Sequence, residues 1–538
     1  MTGDHQHRGD AHGATGTFDV VIVGSGINSL VCAALLARKG QAVCVLERND
    51  VAGGCIRTEE LTLPGFRHDT LSTLYPLFVA APHFPVLKDE LANHGATFAH
   101  CATPTAVLLP DGRSLVYRAN RDANVAALET AARGDGVALR AAMEEIEREA
   151  QLLFGLLGGE FWRAATGRML LKRSWRMGLR RAVSYGSEAL GTCRDWLMRD
   201  FRSELSRALF APWVLHVGLG PEGAASGLMA KLVMLTLEQA GAPMVKGGSR
   251  CLVDAFVTLI ERAGGAVLTQ SDADRVIVER GAACGITTSD GREFRARRGV
   301  VCNVTPTQLY TRLLGNDVPG EVLERARAYR YGRGEMQIHL ALSAPPQWPH
   351  PDLASVAMLH LTPGLDAVSK AVNEAERGLL PAEATIVVAQ PVAVDPTRAP
   401  PGRSILWIQL QELPSRVRGD AAGMIGCPTD GTWTADLKER YADRIIARLC
   451  AQMPGLSASI VGRCVLSPAD LERLNINLVG GDPYSGSCTL DQFGPWRPFP
   501  GVRDHETAVR RLFHIGASTH PGPGLGGMSG FMVAGRLG

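Results

Sequence analysis

One stretch restricts the fold more than any other, the run from Phe18 to Glu47. Val20 to Val23 is a short apolar, β-branched run of the kind found in buried parallel strands. Gly24 and Gly26 follow at once, where a chain can turn sharply and bring its backbone N–H groups close to a pyrophosphate. Ile27, Leu30, Val31, Ala34 and Leu35 then recur at helical spacing, and Gly40 suits the position just past the helix end. The helix would direct the positive end of its dipole at the phosphates. Ala42 to Leu46 reads as a second strand, and Glu47 stands where an acid would bind ribose hydroxyls. The third glycine of the dinucleotide pattern is replaced by Ser29, small enough for the same close helix–strand packing. The alternative is an α/β core unit without a nucleotide.

A chain of 538 residues predicts roughly three to four domain-sized units, fewer if one is large. With 46% hydrophobic and 20% charged residues it reads as globular. The net charge of +2 gives no argument for nucleic acid as a partner. No apolar run reaches the length of a membrane span. Residues 1–17 are polar and rich in His and Gly and read as a disordered tail, in which His5, His7 and His12 could bind only stray metal. The 12 cysteines are scattered without C-x-x-C spacing, so no metal site is expected, and the pattern fits a reducing cytoplasm.

A second glycine pair, Gly53-Gly54, follows the nucleotide unit and leads to Thr58, and Leu63 to Asp69 comes soon after. From Phe18 to Asp69 the chain resembles the start of FAD flavoproteins of the phytoene desaturase and amine oxidase superfamily. Asp395-Pro-Thr-Arg-Ala-Pro-Pro-Gly402, Gly480 to Gly486, Leu490 to Gln492 and Arg497 to Gly501 extend the likeness. They resemble the phytoene dehydrogenase-like branch that includes pyridine nucleotide-disulphide oxidoreductase domain-containing protein 2. The C-terminal run Leu512 to Gly530 reads as strand, glycine-rich turn and helix start. In the resembled family such a helix faces the flavin edge where negative charge gathers on reduction.

The resemblance implies an α/β fold: a Rossmann-like FAD-binding domain built from discontinuous segments, plus an α+β substrate domain with a helical sub-region. The expected FAD segments are 18–84, 241–325 and 466–538, with substrate-domain segments 85–240 and 326–465. FAD, held non-covalently, is expected at Gly24, Ser25, Gly26, Ile27, Asn28, Ser29, Glu47, Arg48, Gly53, Gly54 and Thr58, at Val276 beside the adenosine, and at Gly516, Ala517, Gly524, Gly526, Gly527 and Met528. Gly218 to Gly223 matches the glycine pattern formally, but Pro221 removes a donor and Glu222 would repel a pyrophosphate.

The implied activity is FAD-dependent abstraction of hydride from a C–H bond of an apolar or amphipathic substrate, with oxygen or a quinone as electron acceptor. A redox-neutral isomerase, an amine oxidase and a non-catalytic flavin-binding scaffold are the alternatives. No acid or base announces itself. His520 is either a substrate-positioning donor or part of its turn, and Lys246 is a second candidate. From Trp162 to Arg181 seven basic residues alternate with apolar ones and no acid intervenes. That segment is either a solvated helix face or a peripheral contact with an anionic membrane.

Overall fold

The computed structural model describes residues 15–538. Residues 1–14, with His5, His7 and His12, lie outside the described residues. Gly16 and Thr17, expected within the tail, belong to the first strand.

In chain order, the strands used below are β1 (Gly16–Val23), β2 (Val43–Leu46), β3 (Thr105–Leu108), β4 (Ser114–Tyr117), β5 (Ala266–Leu268), β6 (Ala273–Glu279), β7 (Ala282–Thr288), β8 (Glu293–Asn303), β9 (Gly334–Leu342), β10 (Met358–Leu361), β11 (Ile386–Ala389), β12 (Ser404–Leu413), β13 (Ile460–Leu466) and β14 (Leu512–Ile515). The helices are α1 (Ile27–Ala37), α2 (Asp135–Gly158), α3 (Ala164–Met177), α4 (Leu179–Ala189), α5 (Ser226–Ala240), α6 (Arg250–Arg262) and α7 (Met528–Leu537).

The first sheet runs β6-β7-β8-β1-β2-β5, and β14 also pairs with β8. β1 lies parallel to both β2 and β8, and β14 is parallel to β8. Strands from three distant parts of the chain therefore share one sheet. Both faces of β1 are covered: Val20 and Ile22 pack with Leu30, Val31 and Ala34 of α1, while Val21 and Val23 pack with Val300 and Cys302. This two-sided burial is why the run carries no polar alternation.

The second sheet runs β13-β9-β12-β11-β10-β3-β4, antiparallel except where β10 meets β3. One face of β9 and β12 presents Met336, Ile338, Leu340, Leu406, Ile408 and Leu410 to a hydrophobic core. The other face carries Glu335, Gln337 and His339 on β9 and Trp407, Gln409 and Gln411 on β12, with Gln337 opposite Gln409 and His339 opposite Trp407. These polar side chains alternate with apolar ones at the strand period of two, yet all nine residues of β9 are buried.

Candidate active site

α1 starts at Gly26 with no side-chain cap and no acid in its first turn, so its leading N–H groups remain available to an anion. The turn before it needs Gly24, which sits at φ 82°. Glu47 is buried beneath this turn. Its Oε2 accepts from the Ser25 N–H at 3.0 Å and the Ser25 hydroxyl at 2.6 Å, and its Oε1 accepts from the Asn49 N–H at 2.9 Å. Ser25 Oγ in turn accepts from the Gly53 N–H at 2.8 Å. The acid that closes the nucleotide unit thus also ties both glycine turns together, while its oxygens retain room for further donors.

The C-terminal end closes on the same place. The Gly516 N–H donates to Ser529 Oγ at 3.0 Å, and that hydroxyl donates to Asn28 Oδ1 at 2.8 Å. α7, like α1, starts on a glycine with no side-chain cap and no acid in its first turn. Two uncapped helix N-termini from opposite ends of the chain therefore meet at one cavity.

That cavity is about 950 Å³. It is lined by Gly24, Ser25, Gly26, Ile27, Asn28, Glu47, Arg48, Gly53, Gly54, Ala517, Gly524, Gly526, Gly527 and Met528, all expected at the nucleotide. Four of the expected residues stand off it. Ser29 accepts from Asn303 Nδ2 at 3.0 Å behind the turn. Gly516 packs so tightly on Asn303 that no side chain would fit there. Thr58 donates to Asp69 Oδ1 at 2.7 Å and accepts from the Arg250 N–H, which makes it a brace for α6. Val276 is buried within the sheet opposite Ile286; Asp272 and Ala273, at the start of that strand, line the cavity instead.

Neither of the two candidate catalytic residues lines this cavity. Lys246 is exposed and away from the cavity. His520 lies in a separate small pocket beside Phe161, where it contacts the Gly159 carbonyl through Nε2 at 2.9 Å. Burial lowers its pKa. This is the structural role left open for it.

The remainder of the cavity is a chamber between α5 and the second sheet. Met229, Leu232, Val233, Thr236 and Leu237 line it from α5 at i, i+3, i+4, i+7 and i+8, one helical face. Trp213, Phe493 and Tyr484 close it, and Glu335, Trp407, Gln409 and Gln411 face it from the sheet. Gln411 Nε2 donates to His216 Nδ1 at 3.3 Å and to Tyr484 Oη at 3.0 Å, and the Tyr484 hydroxyl donates to the Leu215 carbonyl at 2.5 Å. His216 then donates from Nε2 to His360 Nε2 at 2.9 Å. Burial holds His216 near pKa 3 and His360 well below its usual value, so both rings are neutral. Glu335 accepts from the Gln337 amide and has Gln409 beside it. With no cationic partner, burial pushes its carboxyl up to about 7.

The motifs beyond the nucleotide unit brace these walls. Asp482 accepts from the N–H groups of Gly332, Tyr484 and Gly486 at 2.7, 2.8 and 2.7 Å. The buried Arg497 donates to the carbonyls of Ala517 at 2.8 Å and Tyr484 at 2.7 Å, linking the two ends of the cavity. Arg398, wholly buried, pairs with Asp69 at 2.5 Å. Of the chamber residues, Tyr484 falls within the Gly480–Gly486 motif, while those on the sheet and on α5 do not stand out in sequence. For the sheet residues the signal was the alternation of Glu335 and Gln337 on β9 and of Gln409 and Gln411 on β12.

The residues present fit FAD: two free helix N-termini, a buried acid under the glycine turns, and a long cavity leading to an apolar chamber. A family model described as flavin containing amine oxidoreductase matches residues 30–534. The chain is 28% identical over 551 residues to pyridine nucleotide-disulfide oxidoreductase domain-containing protein 2 of Mus musculus, covering 95% of this chain and 92% of that protein. It is 28% identical over 526 residues to a phytoene dehydrogenase of Streptomyces griseus, covering 94% and 92%. The fold matches an oxidoreductase from Methanosarcina mazei with TM-score 0.61 at 15% identity, over 96% of this chain and 99% of that one. The chain belongs to the flavin-containing amine oxidoreductase family and is an FAD-dependent oxidoreductase.

Proposed function

We propose that the protein dehydrogenates an apolar or amphipathic organic substrate at a C–H bond and leaves a double bond. The observation that carries this reading is the chamber: a face of α5 made of Met229, Leu232, Val233 and Leu237 opposes a polar strip holding one uncompensated carboxyl, Glu335. FAD, when bound, supplies the hydride acceptor. The cradle at Gly24 to Asn28 would hold its pyrophosphate, Glu47 its ribose, and the start of α7 its flavin end. Forming a double bond removes a proton together with the hydride. Glu335 takes that proton, since its carboxyl changes charge near neutral pH and faces the chamber. The apolar walls orient the substrate and exclude water. Oxygen or a quinone would be the final electron acceptor. An amine is the second reading, favoured by Trp213, Trp407 and Tyr484 on the chamber wall.

The test is anaerobic mixing of the yellow holoprotein with a carotenoid, a polyene acid, a long-chain amine and a cyclic alcohol. Bleaching of the flavin by the carotenoid or polyene acid supports dehydrogenation. Bleaching by the amine alone selects the second reading. A flavin that none of them reduces would overturn both and favour the isomerase or the scaffold.

A further inference from the structure

The acid-free basic segment takes no part in the cavity chemistry. It forms α3 and the start of α4, and α3 has no buried residue. One side of α3 rests on α2: a Cβ placed on Gly155 would lie 3.8 Å from Met169 Sδ, and Arg173 pairs with Glu149. The other side presents Arg168, Leu171, Lys172, Trp175 and Arg176 at i, i+3, i+4, i+7 and i+8, all exposed. Leu171 is 73% and Trp175 88% exposed, and Val183 of α4 is 65% exposed.

A solvated helix face accounts for the charges but not for an indole left almost wholly in water next to a leucine. Large apolar side chains clustered on a surface mark a contact. The charges are unusual as well. Among the described residues, Arg163 and Arg173 have acidic partners, whereas Arg168, Lys172, Arg176, Arg180 and Arg181 form no ion pair. Uncompensated cations interleaved with Trp, Leu and Val complement a surface that is negative outside and apolar just beneath. An acidic protein patch would satisfy the charges and leave Trp175 and Leu171 without an apolar phase to enter.

We propose that the outward face of α3, together with α4, seats on an anionic lipid bilayer, with Trp175, Leu171 and Val183 entering the acyl boundary and the unpaired Lys and Arg at the headgroups. Among the described residues, no helix is long and apolar enough to cross a membrane, so the seat is interfacial. Its position matters because α2 separates it from the cavity by one helix only. Phe154, Gly155 and Gly158 of α2 line the cavity while Gly155 also meets α3. Docking therefore sets one wall of the cavity beside the lipid, where a lipophilic substrate of the class proposed above would be met. The docking itself does not depend on that substrate.

The test is sedimentation of the full-length holoprotein with phosphatidylcholine vesicles, with and without phosphatidylglycerol, at low and high salt. Binding should require the anionic lipid and weaken with salt. Arg168→Gln, Lys172→Gln and Arg176→Gln together should lower the partition coefficient roughly a hundredfold, at about fivefold per charge. Leu171→Ser with Trp175→Ser should lower it roughly tenfold or more. These side chains face outward, so the flavin spectrum and melting temperature of both variants serve as folding controls. Wild-type protein that stays in solution with anionic vesicles at low salt, or variants that bind as tightly as wild type, would overturn the proposal. Neither result bears on whether the flavin is reduced by a carotenoid or a polyene acid.

Discussion

Glu335 turns its carboxyl into an apolar chamber, and the cost falls on the folded state. Its pKa rises from 4.5 to about 7 because burial penalises the charge, with Asp482, Cys55 and Tyr484 the other titratable groups around it. A carboxyl that holds its proton more tightly when folded stabilises the fold fully below about pH 4.5. That contribution is lost as the pH climbs through 7, roughly 3 kcal/mol in all. Glu335→Gln should therefore leave stability at pH 4 unchanged and raise it at pH 8, as read from denaturant midpoints across that range. The buried Glu412 shifts in the same direction but lies off the cavity, so Glu412→Gln should alter the same stability curve without touching flavin reduction. A Glu335→Gln curve that overlays wild type would place this carboxyl in water.

Among elements, the contact between α1 and α7 decides whether the two helix N-termini share one cavity. Gly530 has no space for a side chain, because a Cβ would run into the backbone of Asn28. Gly530→Val should separate the helices, cost about 1–3 kcal/mol of stability through overpacking, and release FAD on gel filtration. The flavin-to-protein absorbance ratio and a urea titration check both. A variant that stays yellow and equally stable would mean that the helices give way without opening the site. The strand and helix pattern of this region was legible in the sequence: the strand, helix and strand from Val20 to Leu46, and the strand and helix start between Leu512 and Gly530, stand where expected. Val276 and Thr58 both stand off the cavity, because which residue of a strand reaches it depends on the strand's neighbours in the sheet.

Across the whole molecule, the cavity that fits FAD is lined by segments that the chain keeps hundreds of residues apart, so the cofactor's binding free energy would join the folding free energy. At a hundredfold excess over Kd this adds about 2.7 kcal/mol and should raise the melting temperature of the apoprotein by a few degrees. Gly26→Val offers a comparison. Gly26 sits at φ −61° and ψ 165°, backbone angles open to valine, but a Cβ there would lie 3.0 Å from Asn303 Nδ2, so the apoprotein should melt somewhat below the wild-type temperature. The valine side chain would occupy the pyrophosphate's approach, and the FAD-induced rise should vanish. A persisting rise would remove the glycine turn from the cofactor site.

The sequence by itself determined the local units: a parallel strand and helix around Gly24 and Gly26, an acid at Glu47, and a glycine turn opening a final helix at Met528. Those follow from short-range rules of turn geometry, helical spacing and burial on both sheet faces, which need no knowledge of the rest of the chain. Only the tertiary structure decided which side chains face the substrate chamber. Glu335, Gln411, His216 and Tyr484 come from four separate stretches and have meaning only as neighbours. It also decided that His520 binds a backbone carbonyl and that Lys246 points to solvent. The reason is physical: a residue's chemistry in a site is set by what packs against it, and long-range packing leaves no periodic trace in the chain.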